Sequence, residues 1–283
     1  MRDASPLRYP GGKWRLTRFL SRLIQLNNLE HCQYVEPYAG GAGLGLSLLF
    51  DGLVSEIHLN DLDPAIHAFW YSVLNRRCEF FRLLESTPIT SDEWKKQKAV
   101  YCKGISSGKL ALGFATFFLN RTNHSGILNG GMIGGKAQSG QWKIDARFNL
   151  TELRRRIERI GEFKRCIHLY QEDAIEFLRN RRWPRSALKY LDPPYFCAGT
   201  RLYLNSYTLH DHAIVSNYIT RLSSPWIVSY DNVPQIGNLY RGVRSRRMQL
   251  LHTARSARIG SEILFFAESL RIPRLVYPAP TLS

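Results

Sequence analysis

Three short apolar segments of this chain each run into a turn that is marked by an acid and by glycine or proline. They cover residues 33–35, 56–59 and 188–191, and helix-like patterns follow the first two. Alternation of strands and helices is typical of an α/β domain, in which ligands bind beyond the carboxyl ends of the strands. We therefore expect an α/β fold whose functional residues lie in these turns.

The first turn is rich in glycine and covers residues 36–43, EPYAGGAG. Glycines at such a turn let the backbone approach a cofactor closely. The dinucleotide fingerprint fails because Leu46 stands where it needs a glycine, and a Walker phosphate loop fails because Trp14 follows Lys13. These departures favour a nucleoside cofactor without a polyphosphate. Asp61, about twenty residues beyond the glycine turn, is suitably placed to accept hydrogen bonds from ribose hydroxyls.

The third segment ends in the tetrapeptide Asp192-Pro193-Pro194-Tyr195. Its prolines stiffen the turn and remove two amide donors, so the turn offers hydrogen-bond acceptors. The Asp192 carboxylate and the Pro193 carbonyl could both accept from one NH2 group, which frees the nitrogen lone pair for methylation. The Tyr195 ring offers a face on which a base removed from a duplex could stack. The pattern predicts methyl transfer to an exocyclic amine.

The chain is strongly basic, with 39 Lys+Arg against 23 Asp+Glu and a formal charge of +16. Such a field attracts polyanions. Residues 94–144 and 232–261 contain no acid, and the part from 120 to 140 is also rich in glycine. These segments lie on either side of the catalytic tetrapeptide in sequence. We expect them to form two basic walls of a groove for a phosphate backbone, with Lys136, Arg246 and Arg247 among the contacts.

Membranes, disulfides and metals are not expected. No apolar run approaches ~18 residues, and the first residues lack the apolar core of a signal peptide. The five cysteines include no C-x-x-C pair, which favours a reduced, cytoplasmic setting. We interpret His210-Asp211-His212 as a helix start capped around Asp211 rather than as a metal site.

The motifs occur in the order found in the D12-class DNA adenine methyltransferases, the family of the Dam methylases, which the chain resembles. They are residues 8–13 (RYPGGK), residues 36–43, Asn60-Asp61 and the tetrapeptide, and the similarity spans Ser5 to about Glu268. The resemblance implies a Rossmann-like S-adenosylmethionine-dependent methyltransferase sheet with an inserted, mainly helical target-recognition domain. The implied parts are 1–66 and 150–283 for the catalytic domain and 67–149 for the DNA-binding insertion.

The same resemblance implies roles for individual residues. The catalytic residues would be Asp192, Pro193, Pro194 and Tyr195. The pocket for S-adenosylmethionine would be lined by Tyr9, Lys13, Glu36, Tyr38, Gly40, Gly41, Asp61, Asp173 and Asp192. Asn120 and Arg121 match the pattern that opens the DNA-contacting part of the insertion. Tyr9 stands where many relatives have Trp, and the glycine-rich stretch after Arg121 also departs from the commoner relatives.

The expected activity is methylation of the adenine N6 amine in double-stranded DNA after base flipping, with a restriction enzyme as a possible companion. Cytosine C5 chemistry is excluded because the chain has no Pro-Cys pair, and we interpret Cys197 as pocket wall. Three alternatives stay open: an RNA adenine methyltransferase, an N4-cytosine enzyme, and a non-catalytic nucleic-acid-binding homologue. The sequence leaves the target sequence and the oligomeric state undetermined.

Overall fold

The computed structural model describes residues 4–8, 13–196, 207–252 and 258–274. A seven-stranded sheet forms its centre, with the strand order β3-β2-β1-β4-β5-β7-β6. The strands are β1 Cys32–Glu36, β2 Val54–Asn60, β3 Ile167–Tyr170, β4 Leu188–Leu191, β5 Trp226–Asp231, β6 Ser245–His252 and β7 Arg258–Phe266.

Helices connect the strands and cover the sheet. They are α1 Thr17–Leu26, α2 Gly43–Phe50, α3 Pro64–Asn75, α4 Arg77–Ser86, α5 Ser91–Lys103, α6 Lys109–Thr122, α7 Leu150–Glu162, α8 Ala174–Arg179, α9 Leu209–Ile219 and α10 Pro234–Leu239. Short 3-10 turns occupy Lys13–Leu16, Gly104–Ser107, His124–Gly126 and Lys164–Cys166.

Strands β1 to β5 pair in parallel, whereas β7 runs antiparallel to both β5 and β6. The chain moves outward from β1 to β3 on one side and from β4 onward on the other. The order therefore reverses between β1 and β4, and this switch point is where open α/β sheets bind ligands. The predicted α/β fold with a Rossmann-like sheet is confirmed.

The three predicted strands are confirmed as β1, β2 and β4, with bounds that differ by at most two residues. The predicted helix over residues 151–160 is confirmed as α7, which buries Leu153, Ile157 and Ile160. Of the four arginines expected on its solvated face, Arg155 and Arg159 are exposed, whereas Arg154 and Arg156 are half-buried. Three of the four pair with Glu152 or Glu158.

Residues 67–149 contain most of α3, then α4, α5, α6 and a long glycine-rich connection to α7. Helix α3 begins at Pro64, before the predicted domain boundary, and continues across it. Phe69 of α3 stacks on Phe117 of α6 at 6.0 Å between ring centroids, and both belong to the same hydrophobic core as the sheet. The helical region is thus packed on the catalytic core, while its separate role in DNA recognition stays a prediction.

None of the helices in the described ranges has the length and apolar character that crossing a bilayer requires.

Candidate active site

The predicted catalytic turn and the predicted cofactor turn lie side by side at the switch point of the sheet. Strand β1 ends at Glu36, and β4 ends at Leu191, immediately before Asp192. The two strands are parallel neighbours. Glu36 and Asp192, which are far apart in sequence, therefore leave the same edge of the sheet next to each other.

A cluster of polar side chains joins buried Lys13 and Glu262 to half-buried Asp192 and Tyr195. Lys13 Nζ lies 2.9 Å from Asp192 Oδ2 and 3.6 Å from Glu262 Oε1. It donates to the Tyr195 hydroxyl at 2.5 Å, and that hydroxyl donates to Glu262 Oε1 at 2.6 Å. Burial would lower the pKa of Lys13, but the two carboxylates outweigh burial and raise that pKa. The ammonium group therefore stays charged inside the protein.

Asp192 also accepts a hydrogen bond from a residue of β5. Ser229 donates from Oγ to Asp192 Oδ1 at 2.7 Å, and the Tyr190 hydroxyl donates to Ser229 Oγ at 2.9 Å. The two carboxylate oxygens thus have different partners, Ser229 and Lys13. Each oxygen has a further lone pair, because a carboxylate can accept about four hydrogen bonds. Asp192 is fixed in place and still able to accept from a substrate amine.

One oxygen of the buried Glu36 carboxyl forms no close hydrogen bond within the described residues. Its Oε1 accepts from the Tyr34 hydroxyl at 2.9 Å, while Oε2 is buried with no hydrogen-bond partner in the described part of the chain. Burial raises the pKa of Glu36 to about 8, and Asp192 raises it further, against the opposing effects of the Tyr34 hydroxyl and the Gly45 amide. A buried acceptor of this kind is costly unless a ligand satisfies it. The positively charged methionine part of S-adenosylmethionine fits that requirement.

Gly45 leaves the space that this arrangement needs. A Cβ atom at Gly45 would lie 3.1 Å from the Tyr34 ring and 3.4 Å from Glu36 Oε2. The first turn of α2 therefore packs directly against the buried Tyr34–Glu36 pair.

Asp61 fastens the glycine turn. Its Oδ2 accepts from the Gly40 amide at 2.8 Å and its Oδ1 from the Asp63 amide at 3.0 Å. The Gly40 carbonyl accepts from Trp70 Nε1 at 2.9 Å, so both backbone groups of Gly40, whose φ is +46°, are fixed. Burial and then the Asp63 charge raise the pKa of Asp61 to about 7. Asp61 therefore stabilises the glycine turn. Its expected hydrogen bonds with the ribose hydroxyls stay a prediction.

Asp173 caps α8, accepting from the Ile175 and Glu176 amides at 2.9 and 3.1 Å. The preceding loop is tied to β2 by Asn60, which is fully buried and donates to the carbonyls of Pro37 and Glu172 at 3.0 Å each. This places exposed Asp173 at the same edge of the sheet as Asp61. Its contact with the cofactor adenine stays a prediction.

The remaining residues expected to line the cofactor pocket are Tyr38, Gly41 and Tyr9. The Tyr38 hydroxyl lies 3.1 Å from that of Tyr207, and the two rings meet edge to face. Gly41 follows Gly40 in the turn and is buried. Tyr9, expected to line the pocket, and Cys197, expected to form its wall, lie outside the described residues.

The residues predicted to contact DNA do not form one group. Asn120 is 2% exposed and holds the segment around Arg8, accepting from the Arg8 amide at 2.6 Å and donating to its carbonyl at 2.8 Å. Arg121 is 9% exposed, and Arg246 donates to the Pro273 carbonyl at 2.6 Å. These contacts give Asn120 and Arg246 packing roles.

Lys136 and Arg247, by contrast, are exposed to solvent. DNA contact by each of the five residues stays a prediction, and exposure favours these two.

The sequence analysis missed two residues that hold the site together: Glu262 of the cluster, and Ser229, which donates to Asp192. Glu262 had a usable signal, because it is a lone acid at the start of the apolar run ILFF, directly after a long acid-free segment. A charged side chain in a buried strand requires a partner. Ser229 had no such signal, because serine in a strand is common.

The capping prediction at His210-Asp211-His212 is confirmed. Thr208 and Asp211 form a reciprocal capping box at the start of α9. His212 is buried, with Nδ1 at 3.1 Å from the Tyr230 hydroxyl. The two histidines therefore face different surroundings.

The sheet order, the glycine turn at the switch point and the buried carboxylates define a Rossmann-like methyltransferase. The sequence model of the D12 class N6 adenine-specific DNA methyltransferases matches residues 9–254. The chain belongs to this family, which confirms the resemblance.

Comparisons with curated proteins and with solved structures give no information about the substrate. A search of curated proteins gave no match. Among solved structures, the chain is similar to a protein from Pyrococcus horikoshii described as a candidate RNA methyltransferase. The likeness covers 92% of this chain and 85% of that one, with 12% identity and a TM-score of 0.45. Similarity at that level does not extend to substrate.

Proposed function

We propose that this protein transfers a methyl group from S-adenosylmethionine to the N6 amine of adenine in double-stranded DNA, after the base has left the helix. The observation that carries the proposal is the fixed Asp192 carboxylate in an acceptor-only turn. Ser229 and Lys13 hold its two oxygens at 2.7 and 2.9 Å. Family membership supports adenine as the base.

The residues around Asp192 suit this reaction. An aromatic amine is a poor nucleophile because its lone pair is delocalised into the ring. The Asp192 carboxylate and the Pro193 carbonyl would each accept a hydrogen bond from one N–H of the adenine amine. These two hydrogen bonds would favour a tetrahedral nitrogen with an available lone pair. Lys13 and Ser229 already hold the two carboxylate oxygens, so the acceptor needs no rearrangement when the amine arrives.

Residues of the neighbouring turn would hold the methyl donor. The unsatisfied Glu36 Oε2 suits its positively charged methionine part, and Asp61 suits the ribose hydroxyls. S-adenosylmethionine, when bound, supplies an electrophilic methyl group. The Tyr195 ring is proposed to stack the flipped adenine, with its hydroxyl anchored to Glu262 at 2.6 Å.

The decisive experiment is methyl transfer by Asp192→Ala. Loss of a preorganised group of this kind typically lowers the rate ~10²–10³-fold. Labelled S-adenosylmethionine is supplied with duplex DNA, and circular dichroism checks the fold. Asp51→Ala, which removes an exposed acid after α2, is the matched control and should behave like the wild type.

A folded Asp192→Ala variant that keeps more than about half of wild-type activity would refute the catalytic role. The DNA assignment is tested separately by offering RNA and DNA of one sequence. Preferential methylation of RNA would contradict it, and nucleoside analysis of the product distinguishes N6-methyladenine from N4-methylcytosine.

A further inference from the structure

A second group of polar side chains lies on the sheet between β2 and β3. Glu56 and His58 are two positions apart on β2 and therefore point to the same face. His168 lies directly opposite His58 in the β2–β3 register, and their rings stack at 4.6 Å. His168 Nε2 lies 2.6 Å from Glu56 Oε2, and His58 Nε2 lies 3.8 Å from Glu56 Oε1. One potential ligand atom from each residue lies within 4.8 Å of the others.

His58 has a ring nitrogen that lacks a close hydrogen bond. The residue is 8% exposed, and its Nε2 makes no hydrogen bond within the described ranges, with Glu56 Oε1 at 3.8 Å as its neighbour. Its other nitrogen, Nδ1, lies 3.2 Å from the Tyr170 hydroxyl. If Nδ1 donates to Tyr170, Nε2 is a buried lone pair without a donor. If Nε2 carries the proton instead, Glu56 is too distant to accept it. Either tautomer leaves Nε2 unsatisfied and directed at Glu56.

We propose that Glu56, His58 and His168 bind one divalent transition-metal ion of the zinc type. Two imidazoles and one carboxylate form a ligand set that suits Zn²⁺ and its first-row neighbours better than Mg²⁺ or Ca²⁺. A metal bonded to His58 Nε2 satisfies the buried lone pair. Ligand atoms around tetrahedral zinc are separated by about 3.3 Å, so small side-chain movements bring the three into place.

The surroundings of the three residues support this site. Gln33 donates from Nε2 to Glu56 Oε1 at 2.5 Å, and Tyr170 accounts for the second nitrogen of His58. Such outer partners orient metal ligands. The side chains of Glu56 and His168 are 27% and 37% exposed, which leaves room for water as a further ligand. The site is separate from the cluster around Asp192, because its residues lie within β2 and β3 and not in the loops that follow them.

The test measures zinc binding by the full chain without an affinity tag. Protein stripped of metal by a chelator is titrated with Zn²⁺ in competition with a chromophoric chelator. We expect one site that is weakened at least ~tenfold in Glu56→Gln and in His168→Gln. Both side chains are partly exposed, so the variants should fold, and circular dichroism checks this. His210→Gln removes an exposed histidine on α9 and should bind zinc like the wild type.

X-ray absorption of the zinc complex identifies the ligands. Nitrogen and oxygen ligands at about 2.0–2.1 Å support the proposal, whereas sulfur at about 2.3 Å would assign the metal to cysteines. The proposal is overturned by sulfur ligation, by absence of a zinc site, or by equal affinity in the wild type and the two variants. Methyl transfer is not part of this test, so its result is independent of the proposed function.

Discussion

The protonation of Glu36 is expected to make cofactor binding depend on pH. One of its carboxyl oxygens accepts a hydrogen bond from Tyr34, the other is buried with no close hydrogen bond to a described residue, and burial raises the pKa of Glu36 to about 8. Burial therefore favours the protonated form of this carboxyl in the free protein. A positively charged ligand beside it favours the carboxylate, so binding of that ligand must release the proton.

We predict that affinity for S-adenosylmethionine rises with pH and levels off above about pH 8, where Glu36 is already ionised. One released proton gives at most about a tenfold change per pH unit. Calorimetry in buffers of different ionisation heat measures the release directly. Asp61, whose pKa is raised to about 7, adds a similar dependence at lower pH.

Glu36→Gln separates the two groups. In this variant the affinity for S-adenosylmethionine should no longer change between about pH 7 and pH 8. The change below about pH 7, which is assigned to Asp61, should remain. An unchanged pH dependence in Glu36→Gln would show that Glu36 does not meet the charged part of the ligand.

Glu262 is predicted to position Lys13 and Tyr195. Together with Asp192 it counters the effect of burial and raises the pKa of Lys13. In Glu262→Gln one of the two carboxylates is lost, so the pKa of Lys13 falls. We expect slower methyl transfer and an alkaline limb of the pH–rate profile that moves to lower pH. A lower rate with an unmoved profile would indicate a purely structural role.

Glu268→Gln is the matched control, because Glu268 follows the same strand but is exposed. Its profile should match that of the wild type.

At the scale of elements, the contact between α3 and α6 depends on Gly113. A Cβ atom there would lie 2.4 Å from the Ala68 carbonyl oxygen and 2.5 Å from Ser72 Oγ. Gly113→Ala therefore forces the two helices apart, and overpacking of this kind typically costs about 1–3 kcal/mol. Denaturant unfolding measures the change in the free energy of unfolding.

Gly237→Ala provides the comparison, because Gly237 lies in α10 and no described atom outside its own helix turn lies within 4 Å of the added methyl group. Higher helix propensity should leave the protein equally stable or stabilise it by up to ~1 kcal/mol. Equal effects of the two substitutions would contradict the tight α3–α6 contact.

The elements that the sequence revealed are those with strong local signals. Strands β1, β2 and β4 end in acidic turns, and α7 has a regular apolar face. Strand β3, with the sequence IHLY, has polar residues on one face and no distinctive turn signal before it. Strands β6 and β7 extend into a strongly basic stretch, where charge suggested an exposed surface.

In the candidate active site, too, the residues in local motifs were predicted and those placed by long-range contacts were not. Asp192, Glu36 and Asp61 stand in recognisable motifs at strand ends, so their positions follow from an α/β fold. Glu262 reaches Lys13 only because β7 inserts antiparallel beside β5. That arrangement depends on long-range strand pairing, which local sequence patterns do not encode. The packing role of Asn120 depends likewise on a contact with Arg8, 112 positions away.

At the scale of the whole molecule, the net charge of +16 predicts salt-dependent binding to DNA. Log affinity should fall linearly with log salt concentration, by about 0.9 for each neutralised phosphate. The double variant Lys136→Ala with Arg247→Ala should show a smaller slope if these exposed residues touch phosphates. Fluorescence anisotropy at a series of salt concentrations measures it.

Arg185→Ala is the control for this experiment. Arg185 is exposed in the loop that leads into β4, at the edge of the sheet opposite the candidate active site. It should leave the slope unchanged. Binding that does not respond to salt would contradict the DNA groove.

The pairing of Lys13 with Glu262 has a consequence for biosynthesis. Lys13 precedes the first helix and Glu262 belongs to the last strand, so the cluster unites the two ends of the described chain. During translation the ribosome must make every residue from Lys13 to Glu262 before this cluster can assemble. A chain that stops short of β7 lacks Glu262 and leaves the edge of β5 unpaired. Incomplete translation products therefore carry no assembled active site and expose a strand edge, which is a target for chaperones and proteases.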